Sequence, residues 1–471
     1  RPGASCSMQA TELCRRPASS RAPAAAARTR GLVEGAIVPT LLRLAAPNVA
    51  VMMIVALVST ADAYWIGRLG PDALAGVSLV FPLVMLMQTM SAGGMGGGVA
   101  SAVARALGGG RRADANALVG HAVLIALVMG ALFTAGMLAG GPVVYRAMGG
   151  RGGALDAAQA YSLIVFAGAG APWLFNTLGS VVRGTGNMAV PALTMVATGA
   201  LQLGLCPVLV FGLAGAPRLG IAGAGAASVT AFGLGAAILL GFLASGRSLV
   251  APTRRGFRLR AALFADILRV GAPGALNTIL TNLTVVVLTG LVGSYGTDAL
   301  AGYGVGTRLE YLLIPLVFGF GSALVTMVGT AVGAGRFARA ERIAWVGAAL
   351  AAGVAGAIGL AAAAAPSRWI GLFTTEPAVL AAGGRYLRIV GPCYAFFGLG
   401  LALYFASQGA GRLLWPLVAG VLRLAIAAGG GGLVTRAFGG GLDALFAVIA
   451  AAFVTFGSTV ALAIRRGAWR R

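Results

Sequence analysis

Lysine is absent from this chain, histidine occurs once, and Asp and Glu together number only 12 of 471 residues. Charged residues make up 10% of the sequence, where a soluble domain carries about 25%. A solvated globular fold is therefore excluded. The lone histidine, His121, leaves no histidine cluster for a metal and no hydrolytic triad. Cys6, Cys14, Cys206 and Cys393 have neither disulfide nor metal spacing. No Walker-type phosphate loop occurs. The glycine run Gly93–Gly98 lacks the preceding strand and the Lys that such a loop needs, and its small residues suit close helix packing instead. These absences leave no enzyme active site assembled, and neither a metal nor a cofactor is expected.

What the chain has in abundance is apolar length. Hydrophobic residues make up 58% of it, in runs from about residue 40 to 464 that are each long enough to cross roughly 30 Å of hydrocarbon as a helix. The fold class is an all-α polytopic membrane protein. Twelve helices are expected near 37–66, 74–104, 116–140, 158–182, 190–213, 219–243, 264–292, 300–331, 343–365, 382–407, 415–437 and 441–464. The net charge of +23 is carried by arginines in the gaps between these runs, so it marks topology rather than nucleic-acid binding. Arginines crowd the gaps after helices two, six and eight and both ends of the chain. Basic gaps face the cytoplasm, which predicts a plasma- or inner-membrane protein with both termini inside. Residues 1–30, rich in Arg and Ala, read as a disordered tail.

The sequence repeats itself. Asp72-Ala-Leu-Ala-Gly76 returns as Asp298-Ala-Leu-Ala-Gly302, at an offset of 298 − 72 = 226. Ala46-Pro47 returns as Ala272-Pro273 at the same offset, and Gly109 falls on Gly335. Arg183-Gly-Thr-Gly-Asn187 meets Gln408-Gly-Ala-Gly-Arg412, and Pro191 meets Pro416, both at 225. Two homologous six-helix lobes follow, at 31–243 and 264–464. A cytoplasmic linker at 244–263 joins them, and a basic tail at 465–471 ends the chain. An even number of helices per lobe gives both the same orientation, with a cavity between them. Asp62 maps to Leu288 (62 + 226), so the duplicated fold does not need the acid.

With these motifs in hand, the chain resembles the multidrug and toxic compound extrusion (MATE) family. The matching features are Pro47, Asp62 ahead of Gly67-Arg-Leu-Gly70, Asp72 through Gly76, Arg183 through Asn187 ahead of Pro191, Gly329 through Gly335, and Ser407 through Arg412. The resemblance implies two six-helix lobes set as a V around a central cavity. It also implies antiport of organic, often cationic, compounds out of the cell against H⁺, with Na⁺ as the alternative. The expected partners are small organic substrates and the lipid bilayer, with the chain acting as a monomer. A flippase for lipid-linked oligosaccharides, from a related two-lobe class, is the second reading. Two departures stand out. Related members place Asn and Asp four residues apart on the fifth helix, where this chain has Gln202 and Cys206 before Pro207. Another branch carries acids on helices seven and ten, and this chain is expected to have none there.

Asp62 and Glu310 are the two acids expected well inside helices. An Asp at mid-bilayer costs roughly 2.5–3.5 kcal/mol on insertion scales, so its presence points to a use. Taking a carboxylate out of water disfavours its charged form, which makes Asp62 the candidate ion-coupling residue. Tyr64, Asn176, Gln202 and Cys206 are its candidate hydrogen-bond partners. Glu310 is a candidate for a substrate charge or an interhelix pair. Pro47 and Pro273 match across the repeat and are candidate hinges, since each removes a backbone hydrogen bond inside a helix. Pro82 and Pro315 fall inside helices as well, and Met52, Met53, Met85 and Met87 are candidates for an adaptable cavity wall.

Overall fold

A computed structural model describes residues 29–252, 258–437 and 439–469. The expected disordered tail falls almost wholly outside the described residues, as do the side chains of Met52, Met53 and Pro315. The helices are α1 (Ile37–Gly67), α2 (Pro71–Gly108), α3 (Arg112–Ala147), α4 (Gly152–Ala167 with Gly170–Gly184), α5 (Ala189–Phe211) and α6 (Ile221–Ala244). Then follow α7 (Ala261–Gly293), α8 (Thr297–Gly333), α9 (Phe337–Ala364), α10 (Pro377–Ala410), α11 (Leu414–Thr435) and α12 (Leu442–Arg465). Among the described residues, ten helices are long and apolar enough to span a membrane on their own, and the bent pair forming α4 makes one more. The 31-residue α1 completes twelve. No strand occurs among the described residues.

Glycine punctuates both halves in register. Gly70 and Gly296 precede α2 and α8 with φ of 116° and 107°, a region that an L side chain rarely enters. The two positions differ by 296 − 70 = 226. Packing repeats as well. The face of α2 at Gly76 lies on Ala157 and Ala158 of α4, and Gly302 of α8 lies on Ala382 and Gly383 of α10. The break in α4 near Gly168, bent by 47°, is answered in α10 by a 3₁₀ turn at Gly391–Cys393. The helices therefore form two lobes, α1–α6 and α7–α12, each with the same internal contacts.

The lobes meet at the end where the arginines crowd. A Cβ on Gly94 would stand 2.7 Å from the backbone of Ala275, and one on Gly98 would stand 2.7 Å from that of Gly271. Gly108 and Gly333 likewise abut the backbones of Thr330 and Arg105. The glycines expected to permit close packing do so between α2 and the opposite lobe. Polar ties cross the same seam. Asn48 donates to Ser322 Oγ at 2.7 Å, Thr326 to the Arg183 carbonyl at 3.0 Å, and Ser101 to the Gln408 carbonyl at 2.5 Å. Arg105 pairs with Asp266 at 2.7 Å. Near the N-terminus Leu32 packs at Gly186, Glu34 pairs with Arg336 at 3.0 Å, and Arg339 donates to the Gly35 carbonyl. The first halves of α2 and α8 instead turn inward on α4 and α10 of their own lobes. The lobes are thus closed against each other at the arginine-rich end.

Asp266 corrects one expectation. Helix seven does carry an acid: Asp266 already falls inside the expected 264–292, and with α7 starting at Ala261 it stands more than a turn inside the helix. It serves the seam rather than the depth of the lobe.

Candidate functional site

Asp62 lies on α1, 62 − 47 = 15 residues beyond Pro47, or about 22 Å along the axis at 1.5 Å per residue. It is half-buried between α1 and α5. Gln202 Nε2 donates to its Oδ2 at 2.5 Å, and the Cys206 thiol lies beside the carboxylate. Gln202 and Cys206 stand four apart on α5, which puts them on one helix face. Tyr161 of α4 sits beside this group, and Ile66, Leu205, Leu209 and Val210 surround it with apolar surface. Among the described residues Oδ1 is buried without a hydrogen-bond partner and no arginine is within ion-pair reach of Asp62. Among the described residues the carboxylate has one amide donor, a thiol beside it and no countercharge.

Two candidate partners lie elsewhere. Asn176 sits in the second segment of α4, where its amide donates to Gln88 Oε1 and Ser91 Oγ, each at 2.8 Å. It ties α4 to a π-helical turn of α2, Met90–Met95. Tyr64 is 59% exposed, and its ring packs edge-on against Trp65 at 5.0 Å. Two residues along a helix from Asp62, it faces away from α5.

Glu310 stands at a second polar centre, in the other lobe. Tyr386 and Tyr394 of α10 both donate to its Oε1, the latter at 3.3 Å. Buried Arg423 of α11 is close enough to interact electrostatically, and its guanidinium lies over the Phe456 ring at 5.1 Å. Tyr386 and Tyr394 are 394 − 386 = 8 residues apart, about two turns, so they share a face of α10. The repeat also holds a signal for Tyr386, since 386 − 225 = 161 and Tyr161 flanks Asp62. The two lobes thus keep an acid and a tyrosine together with the acid moved from α1 to α8.

The candidate hinges sit at the seam. Pro47 immediately precedes Asn48, which bonds Ser322 of the other lobe. Pro273 immediately precedes Gly274, which packs against Gly94. Both helices run on through their prolines. His121 is fully buried, its Nδ1 2.8 Å from the Ala117 carbonyl and its Nε2 accepting from the Arg260 backbone N–H at 2.9 Å. It braces the entry to α7. Among the described residues no group of His, Cys, Asp and Glu is placed to hold a metal ion.

A family model, MatE, matches residues 47–208 and 273–431. The two matches start 273 − 47 = 226 residues apart, the offset of the repeat. A probable multidrug resistance protein NorM of Deinococcus radiodurans is 32% identical, over 79% of this chain and 81% of its own length. A probable multidrug resistance protein YoeA of Bacillus subtilis is 28% identical over 76% of this chain and 78% of its own. A FAD transporter of Shewanella oneidensis is 28% identical over 80% and 83%. Among solved structures, an outward-facing multidrug resistance MATE family transporter superposes with a TM-score of 0.83 at 24% identity, covering 93% of this chain and 98% of its own.

Proposed function

This chain belongs to the MatE family, whose members are transporters and not enzymes, and on that premise we propose that it is a proton-coupled exporter of organic compounds, often cationic, working by alternating access of its two lobes. The observation that carries this reading is Asp62. It is a membrane-embedded carboxylate held by the Gln202 amide beside the Cys206 thiol, with no countercharge among the described residues, on the helix that also crosses to the other lobe. As an anion it accepts from Gln202. Once protonated it gains an O–H donor and accepts more weakly, which loosens the tie between α1 and α5. Asn48 and Pro47 lie on the same helix at the seam, so a change at Asp62 reaches the contact with Ser322 through one rigid element. The groups beside Asp62 favour H⁺ over Na⁺ as the coupling ion. Na⁺ is a hard cation that asks for oxygen ligands, whereas Gln202 turns its N–H toward the carboxylate and the neighbouring Cys206 brings sulfur, not oxygen.

In this reading the arginine-rich end lies in the cytoplasm with both termini, and the cleft faces outward. One chain suffices, because the cavity lies between its own lobes, and no cofactor takes part. The flippase reading has less to stand on, since a pyrophosphate asks for several uncommitted cations in the cleft. Arg385 pairs with Asp443 at 3.6 Å, Arg308 stacks on Phe373 at 5.0 Å, and Arg423 lies beside Glu310.

The test is transport in proteoliposomes under separately imposed gradients. A pH gradient alone should drive export of ethidium, and Asp62→Asn should abolish it with insertion and melting unchanged. Export driven by sodium alone would replace H⁺ with Na⁺. Undiminished proton-driven export by Asp62→Asn would remove Asp62 from the coupling.

A further inference from the structure

Arg183 and Gln408 stand at matching places in the two lobes, 408 − 183 = 225 residues apart, and each is tied through its backbone to the lobe opposite. Thr326 of α8 donates to the Arg183 carbonyl at 3.0 Å, and Ser101 of α2 donates to the Gln408 carbonyl at 2.5 Å. The two donors are themselves matched, since 326 − 101 = 225. The backbone exchange is therefore reciprocal between the lobes. The side chains have no such exchange. Gln408 is fully buried, and its Nε2 is spent on the Gly93 carbonyl and Tyr404 Oη at 3.0 and 2.9 Å. Its Oε1 has no hydrogen-bond partner among the described residues. Arg183 gives Nη2 to Ser180 Oγ at 2.8 Å and to the Asn176 carbonyl at 3.5 Å, both on its own helix. None of the ion pairs among the described residues includes it.

Both residues line a cavity of about 20 Å³, counted as the space that the centre of a water molecule can reach. One water needs about 10–15 Å³ on that count, so the cavity takes a single water. Its polar side chains are Ser180 and Arg183 from one lobe and Ser322 and Gln408 from the other. The Gln408 amide lies against Gly97, another residue of the wall, which has no Cβ to cover it. The hydroxyl protons of Ser180 and Ser322 are already given to the carbonyls of Asn176 and Gly319, at 2.8 and 3.2 Å, so both oxygens can only accept. Among the lining side chains that leaves Arg183 as the donor and three oxygens as acceptors. A molecule that accepts once and donates twice satisfies this set, and a buried water typically makes about three such bonds. An anion would face three oxygens, and a metal ion would face the guanidinium.

We propose that this cavity is a binding site for one ordered water, which accepts from the Arg183 guanidinium, donates to Gln408 Oε1 and so joins the two lobes through their matched side chains. Its second proton goes to a serine oxygen. A bridging water is enthalpically nearly as good as a direct hydrogen bond, and it relieves Gln408 of a buried, unsatisfied oxygen, which costs about 1–3 kcal/mol. It also gives the seam a joint that comes undone without breaking an ion pair at that point, since bulk water replaces the bound one as the lobes part. This last step rests on the alternating-access reading, whereas the water itself does not.

The water is tested on the full chain, with this seam closed, by a crystal structure in bromide at a resolution that shows ordered solvent. The expected result is one peak without anomalous signal, about 2.7–3.2 Å from both Gln408 Oε1 and an Arg183 nitrogen. No peak, or an anomalous bromide peak in its place, would overturn the proposal. The joint is tested by spin labels at the exposed Arg112 and Ala338, one on each lobe, in Arg183→Met, Gln408→Met and the double variant. Each single change should raise the population in which the labels stand farther apart. The double change should raise it no further than the larger single effect, because either one alone already removes the joint. Additive opening would show that the two side chains act separately and would overturn the joint. Where a variant fails to fold, the peak in the unmutated chain decides. The exporter reading is tested apart from this, by transport in proteoliposomes, and stands or falls without the water.

Discussion

The acids of the two lobes are held in different company, and single atoms make the difference. Asp62 is met by an amide and a thiol, whereas Glu310 is met by two phenols beside an arginine. Tyr386→Phe removes one donor and keeps the ring, which packs edge to face on Tyr303 and Phe446 at 5.3 and 5.1 Å. A carboxylate that loses a buried donor is destabilised by about 1–3 kcal/mol, so thermal melts in detergent should show that loss. In a double-mutant cycle the Glu310→Gln background should shrink it to well under half. At this scale Asp62, Gln202 and Cys206 were legible in the sequence, because a resemblance aligned α5 with α1 and the repeat marked Asp62 as dispensable to the fold. Tyr386 and Tyr394 were not assembled around Glu310. Their convergence depends on how α8 and α10 are rotated about their axes, which no spacing within one helix reveals. Asn176 was misplaced for the same reason, since the bend in α4 turns its second segment toward α2.

The elements themselves were easier to foresee. Long apolar runs, Gly and Pro at the breaks, and a repeat at 225–226 leave little choice for a chain in a bilayer, where every backbone group must be satisfied within its helix. Hidden from the sequence were the interruptions inside helices: the bend in α4, the 3₁₀ turn in α10 and the π turns in α2 and α11. The seam between α2 and α7 is sensitive to size. Gly98→Val places atoms where the backbone of Gly271 and the Ile267 carbonyl already stand, 2.7 and 2.8 Å from the first added carbon. Overpacking of this kind costs about 1–3 kcal/mol or more, and the melting temperature should fall by several degrees. Gly136→Ala in α3 meets nothing within 4 Å and should be neutral or stabilising by up to about 1 kcal/mol. Equal effects of the two changes would sink the packing account.

For the molecule as a whole, closure at the arginine-rich end rests on a short set of polar ties above a narrow seam. Asp266→Asn leaves Arg105, whose side chain is only 12% exposed, without its anion and should favour a state in which that end has opened. Spin labels at the exposed positions Arg112 and Ala338, one on each lobe, would read this as a new longer-distance population. An unchanged distance distribution would show that the ion pair does not hold the lobes together. The seam has one more consequence. At Gly94, Gly98, Gly108 and Gly333 the two lobes touch backbone to backbone, and glycine is the smallest residue there is. Every substitution at these four positions adds matter, and none can take it away. Drift elsewhere in the protein can be answered by a compensating change of opposite size, but here no such answer exists within the position. A stretch that performs no chemistry should therefore show the steepest and most one-sided mutational intolerance in the chain, because its geometry has already been spent down to the last atom.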